Sequence, residues 1–351
     1  MKIFTFKNLE PTSPRLLFIG NLSLGSNAKS LLDGFGILDL EITSLDTSFY
    51  ESGLKSIFGR TFRKMSPKYY ERLAVLLVGR KMGKLISEAT FDYVFVFKGL
   101  YVSRQNLDRL SGLKIHYHPD DSSNPQNINE TFTLAESSYN LHFTSKLHNI
   151  QEIEHRTGNR VEFIRYAYDE KLHRSEWSSP IDFSTAKVGF IGTRRPDRVK
   201  LVYQIASELG KNFMIAGLKW NRERNLKRLA SVSGPVFGSD YLDFIHAAPI
   251  QLGFLNSQNR DTHTARTFEI PATGALFILQ DSKEHRELFN HLEDVLLFRT
   301  ETEIMTLLKW IQENPKSAAE IAKRGQIKVT SGNNTWSDRA AYIETILRGN
   351  S

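Results

Sequence analysis

The sequence predicts an α/β chain of two doubly wound domains, each a parallel sheet with helices on its faces. Three observations carry that expectation. Short apolar runs recur with polar or helical stretches between them, the pattern of parallel strands joined by crossover helices. The series restarts after a polar stretch at 177–185 that holds Ser178, Ser179 and Pro180. At 351 residues the chain is long enough for two ordinary domains, each able to bury most of its apolar surface.

Residues 15–20 (RLLFIG) read as a strand ending in Gly20, followed by a loop of Asn21, Ser23, Gly25 and Ser26 and a helix over 28–32. Apolar residues at helical spacing make 66–85 one long helix. Further strands are expected at 93–97, 114–117, 141–144 and 161–164. In the second series 187–191 is a strand with loop 192–195, and 198–209 an amphipathic helix. A strand at 212–216 with loop 217–220, a short helix at 241–247 and strands at 250–255 and 275–279 follow. Residues 336–347 read as a last amphipathic helix after the break Gly332-Asn333-Asn334. The expected domains are 1–175 and 186–335, with 336–351 a terminal helix.

The composition, 40% apolar and 24% charged, is that of an ordinary soluble globular protein. The absence of cysteine excludes disulfides and thiolate chemistry. The first fifteen residues lack the apolar core of a signal peptide, and no stretch approaches the roughly 20 apolar residues of a spanning helix, so a cytoplasmic location is expected, extending to the inner face of the membrane. Lys and Arg outnumber Asp and Glu by 46 to 39, a surplus that suits nucleic acid, an anionic membrane surface or phosphorylated small molecules equally. The basic run 60–68, with Phe62 inside it and Tyr69 beside it, reads either as a solvated helix face or as a docking surface for a membrane or a lipid-linked acceptor.

Residues 259–279 (NRDTHTARTFEIPATGALFIL) concentrate polar chemistry. Asp261, His263, Arg266 and Thr267 lead into an apolar run over 268–272 that contains one carboxylate, Glu269. An ionised Glu there loses hydration unless amides, an Arg or ligand hydroxyls compensate, and Arg266 is one candidate partner. Two other loops, Gly192-Thr193-Arg194-Arg195 and Gly217-Leu218-Lys219-Trp220, follow strands and offer amides, a hydroxyl and cations to phosphate. Each cation taken alone reads first as a surface ion pair or solvated cation, and their recurrence at strand ends favours the phosphate reading for the set. His263 reads as a ligand to phosphate or sugar, or as a satisfied polar residue. Asp120 and Asp121 end a strand and serve either an acceptor hydroxyl, as binder or general base, or turn formation and capping. His116, His118 and Asp120 are the only dense set of metal-ligand types and lack helical spacing, so no metal is expected.

TARTFEIPATG at 264–274, followed by DSKEHRELF at 281–289, resembles the donor-binding half of CgeB-like glycosyltransferases, within the group 1 glycosyltransferases. HYHPDDSSNP at 116–125, FTSK at 143–146, RYAYDEKLHR at 165–174 and VGFIGTRRPDR at 188–198 extend the resemblance over most of 114–348. The first hundred residues match only in general pattern. The resemblance implies the GT-B fold: two Rossmann-like domains, a cleft between them, and a terminal helix returning to the first. It implies transfer of a sugar from a nucleoside-diphosphate donor to a glycan, lipid-linked or protein acceptor, without metal or other cofactor and without a nucleic-acid partner. In that group two acidic residues have seven residues between them, the second contacting ribose and the first lying near the donor sugar. Asp261 and Glu269 have that spacing, with Asp where the group usually has Glu, and it favours retention of configuration. The expected roles are Glu269 on ribose, with Arg194, Lys219 and Arg266, read from the strand-end loops and the motif, on the diphosphate, and Tyr241 or its neighbours on the base. Two other readings share the pocket: a GT-B nucleotide-sugar epimerase, and a non-catalytic sugar-nucleotide or glycan binder of a cell-surface or spore layer.

Overall fold

The structure, a computed structural model, describes residues 13–51, 61, 64–175 and 177–349. Expectations for residues 1–12, and those for positions 60, 62 and 63 of the basic run, lie outside the described residues. The chain forms two compact units, Met1–Arg165 with Trp336–Ser351, and Tyr166–Thr335.

In the first unit β1 (Arg15–Gly20), β2 (Glu41–Asp46), β3 (Tyr93–Phe97), β4 (Leu113–His118), β5 (Leu141–Thr144) and β6 (Arg160–Phe163) form one sheet in the order β2-β1-β3-β4-β5-β6. Every pair is parallel, with Leu16 opposite both Ile42 and Tyr93. β1 and β3 are near-continuous apolar runs because a central parallel strand is covered on both faces. Phe18 stacks on Phe95 at 5.3 Å, and Phe35 from the helix Asn27–Phe35 meets both rings edge-on. The helix Trp336–Gly349 packs on that same helix. Contact is so close at Gly34 that a Cβ there would stand 2.7 Å from the Trp336 carbonyl oxygen.

In the second unit β7 (Val188–Ile191), β8 (Phe213–Ala216), β9 (Ser231–Ser233), β10 (Ile250–Gly253), β11 (Leu276–Gln280) and β12 (Leu296–Phe298) follow the order β12-β11-β10-β7-β8-β9, again all parallel. Its core gathers Phe190, Phe213, Trp220, Ile250 and Leu276. The polar stretch 177–185 is no free tether: Phe183 is buried in this core, and Trp177 donates from Nε1 to the Thr273 carbonyl at 2.8 Å. Residues 166–175 also lie with this unit, where the Tyr168 amide donates to the Asn334 carbonyl at 3.0 Å.

Strand order reverses between β1 and β3 in the first sheet and between β7 and β10 in the second. Doubly wound sheets bind ligands beyond the carboxyl ends of the strands at such a reversal, so the loops after β7 and β10 are where the donor-side residues should lie. Among the described residues no helix is long and apolar enough to cross a membrane.

Candidate functional site

The helix Arg266–Ala272 starts in the connection between β10 and β11 and carries Glu269 in its first turn, 4% exposed. An isolated carboxylate there would be strongly penalised, and the structure supplies three partners. Arg266, one turn earlier, donates from Nη1 to Oε2, and the Tyr241 hydroxyl donates to the same oxygen at 3.3 Å. His173 Nε2 stands 3.9 Å from Oε1. Burial would raise the Glu269 pKa, but Arg266, His173 and Tyr241 outweigh it and hold the carboxyl below its usual range. Burial likewise opposes the Arg266 charge, and Glu269 and Tyr241 more than restore it. The guanidinium also lies over the Tyr241 ring, 4.9 Å from its centre, while its buried Nε has no partner.

His173 is a member that sequence reasoning missed. Its helix, Glu170–His173, comes against Arg266–Ala272 and Ser239–Ala247 only through packing, although it falls in the RYAYDEKLHR stretch. Nδ1 accepts from the Asp169 amide at 2.9 Å, so the ring's proton sits on Nε2, aimed at Glu269. Burial lowers the His173 pKa against the pull of Glu269.

At the β7–β10 reversal stands a second missed residue, Arg198, 8% exposed on the helix Pro196–Leu209. Nη2 donates to the Leu255 carbonyl at 3.3 Å, the guanidinium lies 5.7 Å from the Phe190 ring centre, and Nε is buried without a partner. Nη1 is 3.3 Å from where a Gly192 Cβ would stand, so the absence of a side chain at Gly192 admits the guanidinium. Burial opposes the Arg198 charge, with Asp197 and Asp261 favouring it and Arg195 opposing. Asp261 accepts the Asn256 amide on Oδ2 at 3.3 Å, which ties its loop to the end of β10. The residue before it, Arg260, is left-handed at φ 47°.

The loops after β7 and β8 differ from expectation. The Gly192 amide donates to Ala216 and the Arg194 amide to Leu218, both at 2.9 Å, while the Gly217 amide donates to Gly234 at 3.1 Å. Those amides are consumed in joining the loops and do not point at a phosphate. Arg194 donates from Nε to Glu223 at 2.6 Å, and Glu223 also accepts the Tyr203 hydroxyl at 3.0 Å, so its charge is compensated locally. Lys219 is exposed, left-handed at φ 69°, and in no ion pair among the described residues. Thr193 is half-buried in the same loop. Among the described residues no hydrogen bond or ion pair joins Arg194 or Lys219 to Arg266 or Glu269; the structure brings together Tyr241, Arg266 and Glu269 as one group and Gly192, Arg194, Gly217 and Lys219 as another.

Two candidate ligand-binding side chains are engaged within the protein. His263 is fully buried; Nδ1 donates to Glu284 at 2.9 Å and Nε2 accepts the Tyr166 amide at 3.3 Å, which leaves neither nitrogen for a sugar or phosphate. Thr267, 1% exposed, accepts the Thr264 amide at 3.0 Å and donates to His285 Nε2 at 3.0 Å, the tautomer being fixed because His285 Nδ1 donates to the Gln280 carbonyl.

In the first unit Asp120 is half-buried and pairs with Lys98 at 2.9 Å, beyond the carboxyl ends of β3 and β4. Lys98 and Gly99 both have positive φ there, 70° and 74°. Asp121, 2% exposed, accepts the Ser123 amide at 3.0 Å and Asn149 Nδ2 at 2.9 Å, the turn-forming arrangement. Behind them His116, His118 and His142 are buried, with Tyr139 stacked on His116 at 4.7 Å. Among the described residues no group of His, Asp or Glu is arranged to hold a metal ion.

Residues 194–345 match a family described as glycosyl transferase-like. No curated protein matches the chain. Among solved structures it is similar to the sucrose-phosphate synthase of Thermosynechococcus elongatus, at 11% identity and TM-score 0.63, covering 96% of this chain and 98% of that one. It is similar to the Anabaena protein Alr3699/HepE in complex with UDP-glucose, at 13% identity and TM-score 0.61 over 95% and 99% of the two chains. An α-glucosyltransferase in complex with UDP and a 13-mer DNA matches at 14% identity and TM-score 0.64 over 96% and 100%. These likenesses identify the fold as GT-B, with two parallel-sheet α/β domains of six strands each.

Proposed function

We propose that the chain is a cytoplasmic, CgeB-like group 1 glycosyltransferase that moves a sugar from a nucleoside-diphosphate donor to a glycan, lipid-linked or protein acceptor, with retention and without a metal. The observation that carries this reading is the buried, ionised Glu269 held by Arg266, Tyr241 and His173, in a stretch matched by a glycosyl transferase-like family. Oε2 takes both hydrogen bonds, from Arg266 and Tyr241, while Oε1 has only His173 at 3.9 Å. Oε1 is the oxygen available to ribose hydroxyls.

The diphosphate leaving group gains negative charge as the bond to the sugar breaks, and preorganised cations stabilise that charge more than they stabilise the bound donor. Arg198 is the first choice for this part, because its buried Nε lacks a partner beside Gly192 at the β7–β10 reversal. Lys219 adds an exposed cation from the next loop. Arg266 serves mainly to keep Glu269 charged, and Arg194, engaged by Glu223, contributes through the loop it braces. Asp261 is assigned to the donor sugar and Asp120 to the acceptor.

Thermal unfolding with a panel of nucleoside diphosphates and their sugars tests the reading. A donor at a hundred times its dissociation constant stabilises by roughly 2.7 kcal/mol. If no nucleotide in the panel shifts the transition, the donor site is refuted. Conversion of a donor to its epimer without acceptor would favour the epimerase instead.

A further inference from the structure

The helix Pro67–Glu88 buries Tyr70, Ala74, Val78 and Met82 on one face. Its opposite face is not the polar surface that a solvated helix normally presents. Tyr69, Leu73 and Leu76 are 68%, 39% and 50% exposed, and Met65 just ahead of the helix is 78% exposed. With Arg72 and Arg80 they fall in a stripe about 100° wide, directly away from the core.

Beside the stripe lies a groove of about 520 Å³, walled by Arg72, Arg80 and Arg109 and floored by Gly79, Gly83 and Asn106. A Cβ at Gly79 would stand 2.6 Å from Asn106 Nδ2, and one at Gly83 would stand 3.8 Å from the Arg109 guanidinium, so the two glycines open this space. None of the three arginines forms an ion pair among the described residues. Between positions 64 and 88, Lys64, Lys68, Arg72, Arg80, Lys81 and Lys84 face only two carboxylates. Both are engaged: Glu71 accepts the Thr131 hydroxyl at 2.7 Å, and Glu88 lies 3.8 Å from Lys84.

We infer that this face docks on an anionic lipid bilayer, with Tyr69, Leu73 and Leu76 entering the interface and the groove arginines taking lipid phosphates. Charge complementarity selects an anionic partner, and the exposed apolar stripe selects a bilayer. A soluble polyanion would satisfy the arginines and leave the leucines in water. A second copy of the chain would bring two cationic grooves together, which like-charge repulsion opposes.

Sedimentation with vesicles of phosphatidylcholine alone, or of phosphatidylcholine with phosphatidylglycerol, tests the inference on the whole chain. The chain should bind only the phosphatidylglycerol vesicles, and each cation removed should weaken binding about fivefold. Arg72→Glu with Arg80→Glu should abolish the salt-sensitive part. Tyr69→Ser with Leu76→Ser should release the chain at high salt while leaving its circular dichroism and melting unchanged. Equal binding to both vesicles, or none, overturns the proposal. So does heparin binding that matches vesicle binding and ignores the Tyr69/Leu76 variant, or a dimer that this variant dissociates. Nucleotide binding by these variants is a separate readout, because the face lies in the first unit and its failure leaves the donor site of the second unit standing.

Discussion

Arg266 and Glu269 pair one turn apart on the same short helix, and Tyr241 joins them twice, by its hydroxyl to the carboxylate and by its ring under the guanidinium. The carboxylate is thus charged before any ligand arrives, so its remaining acceptor capacity is preorganised rather than induced.

Glu269→Ala should weaken binding of a nucleoside diphosphate by about 1–3 kcal/mol, the usual loss when a charged hydrogen-bond partner is removed. Isothermal calorimetry on UDP, with uridine as the control lacking phosphate, checks it. Both ligands should lose affinity alike, because the ribose is common to them. Unchanged affinity in a folded variant removes Glu269 from the site.

Arg198→Met and Arg194→Met should separate in the same experiment. The first removes a buried cation with a free Nε and should cost UDP about 1.5–3 kcal/mol while sparing uridine. The second removes a cation already balanced by Glu223 and should cost UDP less than half as much. A larger loss for Arg194 would return the diphosphate to the loop after β7.

Acid should destabilise the chain through its buried imidazoles. Burial lowers the pKa of His116, His118 and His173, and brings those of His142 and His285 down to about 4. In the unfolded chain each titrates near 6.5. As pH falls through that value the unfolded state takes up protons that the folded state refuses, until the folded groups titrate near 4. Each such ring should therefore cost on the order of 1 kcal/mol per pH unit below the unfolded pKa. Chemical denaturation between about pH 7 and about pH 5 should show the fall, and a flat profile would mean that the rings take up protons at the same pH folded and unfolded.

Strands covered on both faces were legible because their apolar runs are continuous: 15–20 and 93–97 are β1 and β3 to the residue. β2 (EITSLD) and β9 (SVS) were not, since edge strands expose one side and need no apolar run, and β12 has only three residues. In the site the carboxylate and its Arg partner were legible, being one helical turn apart. His173 and Arg198 were not, because only tertiary packing brings them to Glu269 and to the end of β10. His263 and Thr267 stayed open between two roles: polar residues beside a buried carboxylate look alike in sequence whether they meet a ligand or Glu284 and His285.

Gly217 joins fold and site most directly. Its φ is 148°, and a Cβ there would stand 2.0 Å from the Gly192 carbonyl oxygen, a backbone atom that no rotamer change can move. That carbonyl also accepts Trp220 Nε1 at 2.7 Å, and the adjoining amides of Gly192 and Arg194 are bonded to Ala216 and Leu218. Gly217→Ala must therefore pull the β7 and β8 loops apart, losing some of these bonds and straining the backbone, at a cost of roughly 2–4 kcal/mol. Because Gly192 borders Arg198, UDP affinity should fall along with stability, whereas Gly210→Ala, at a positive φ of 57° with open space around it, should lose stability alone. Denaturation and calorimetry on both variants decide it: UDP affinity undiminished in a folded Gly217→Ala would detach these loops from the diphosphate.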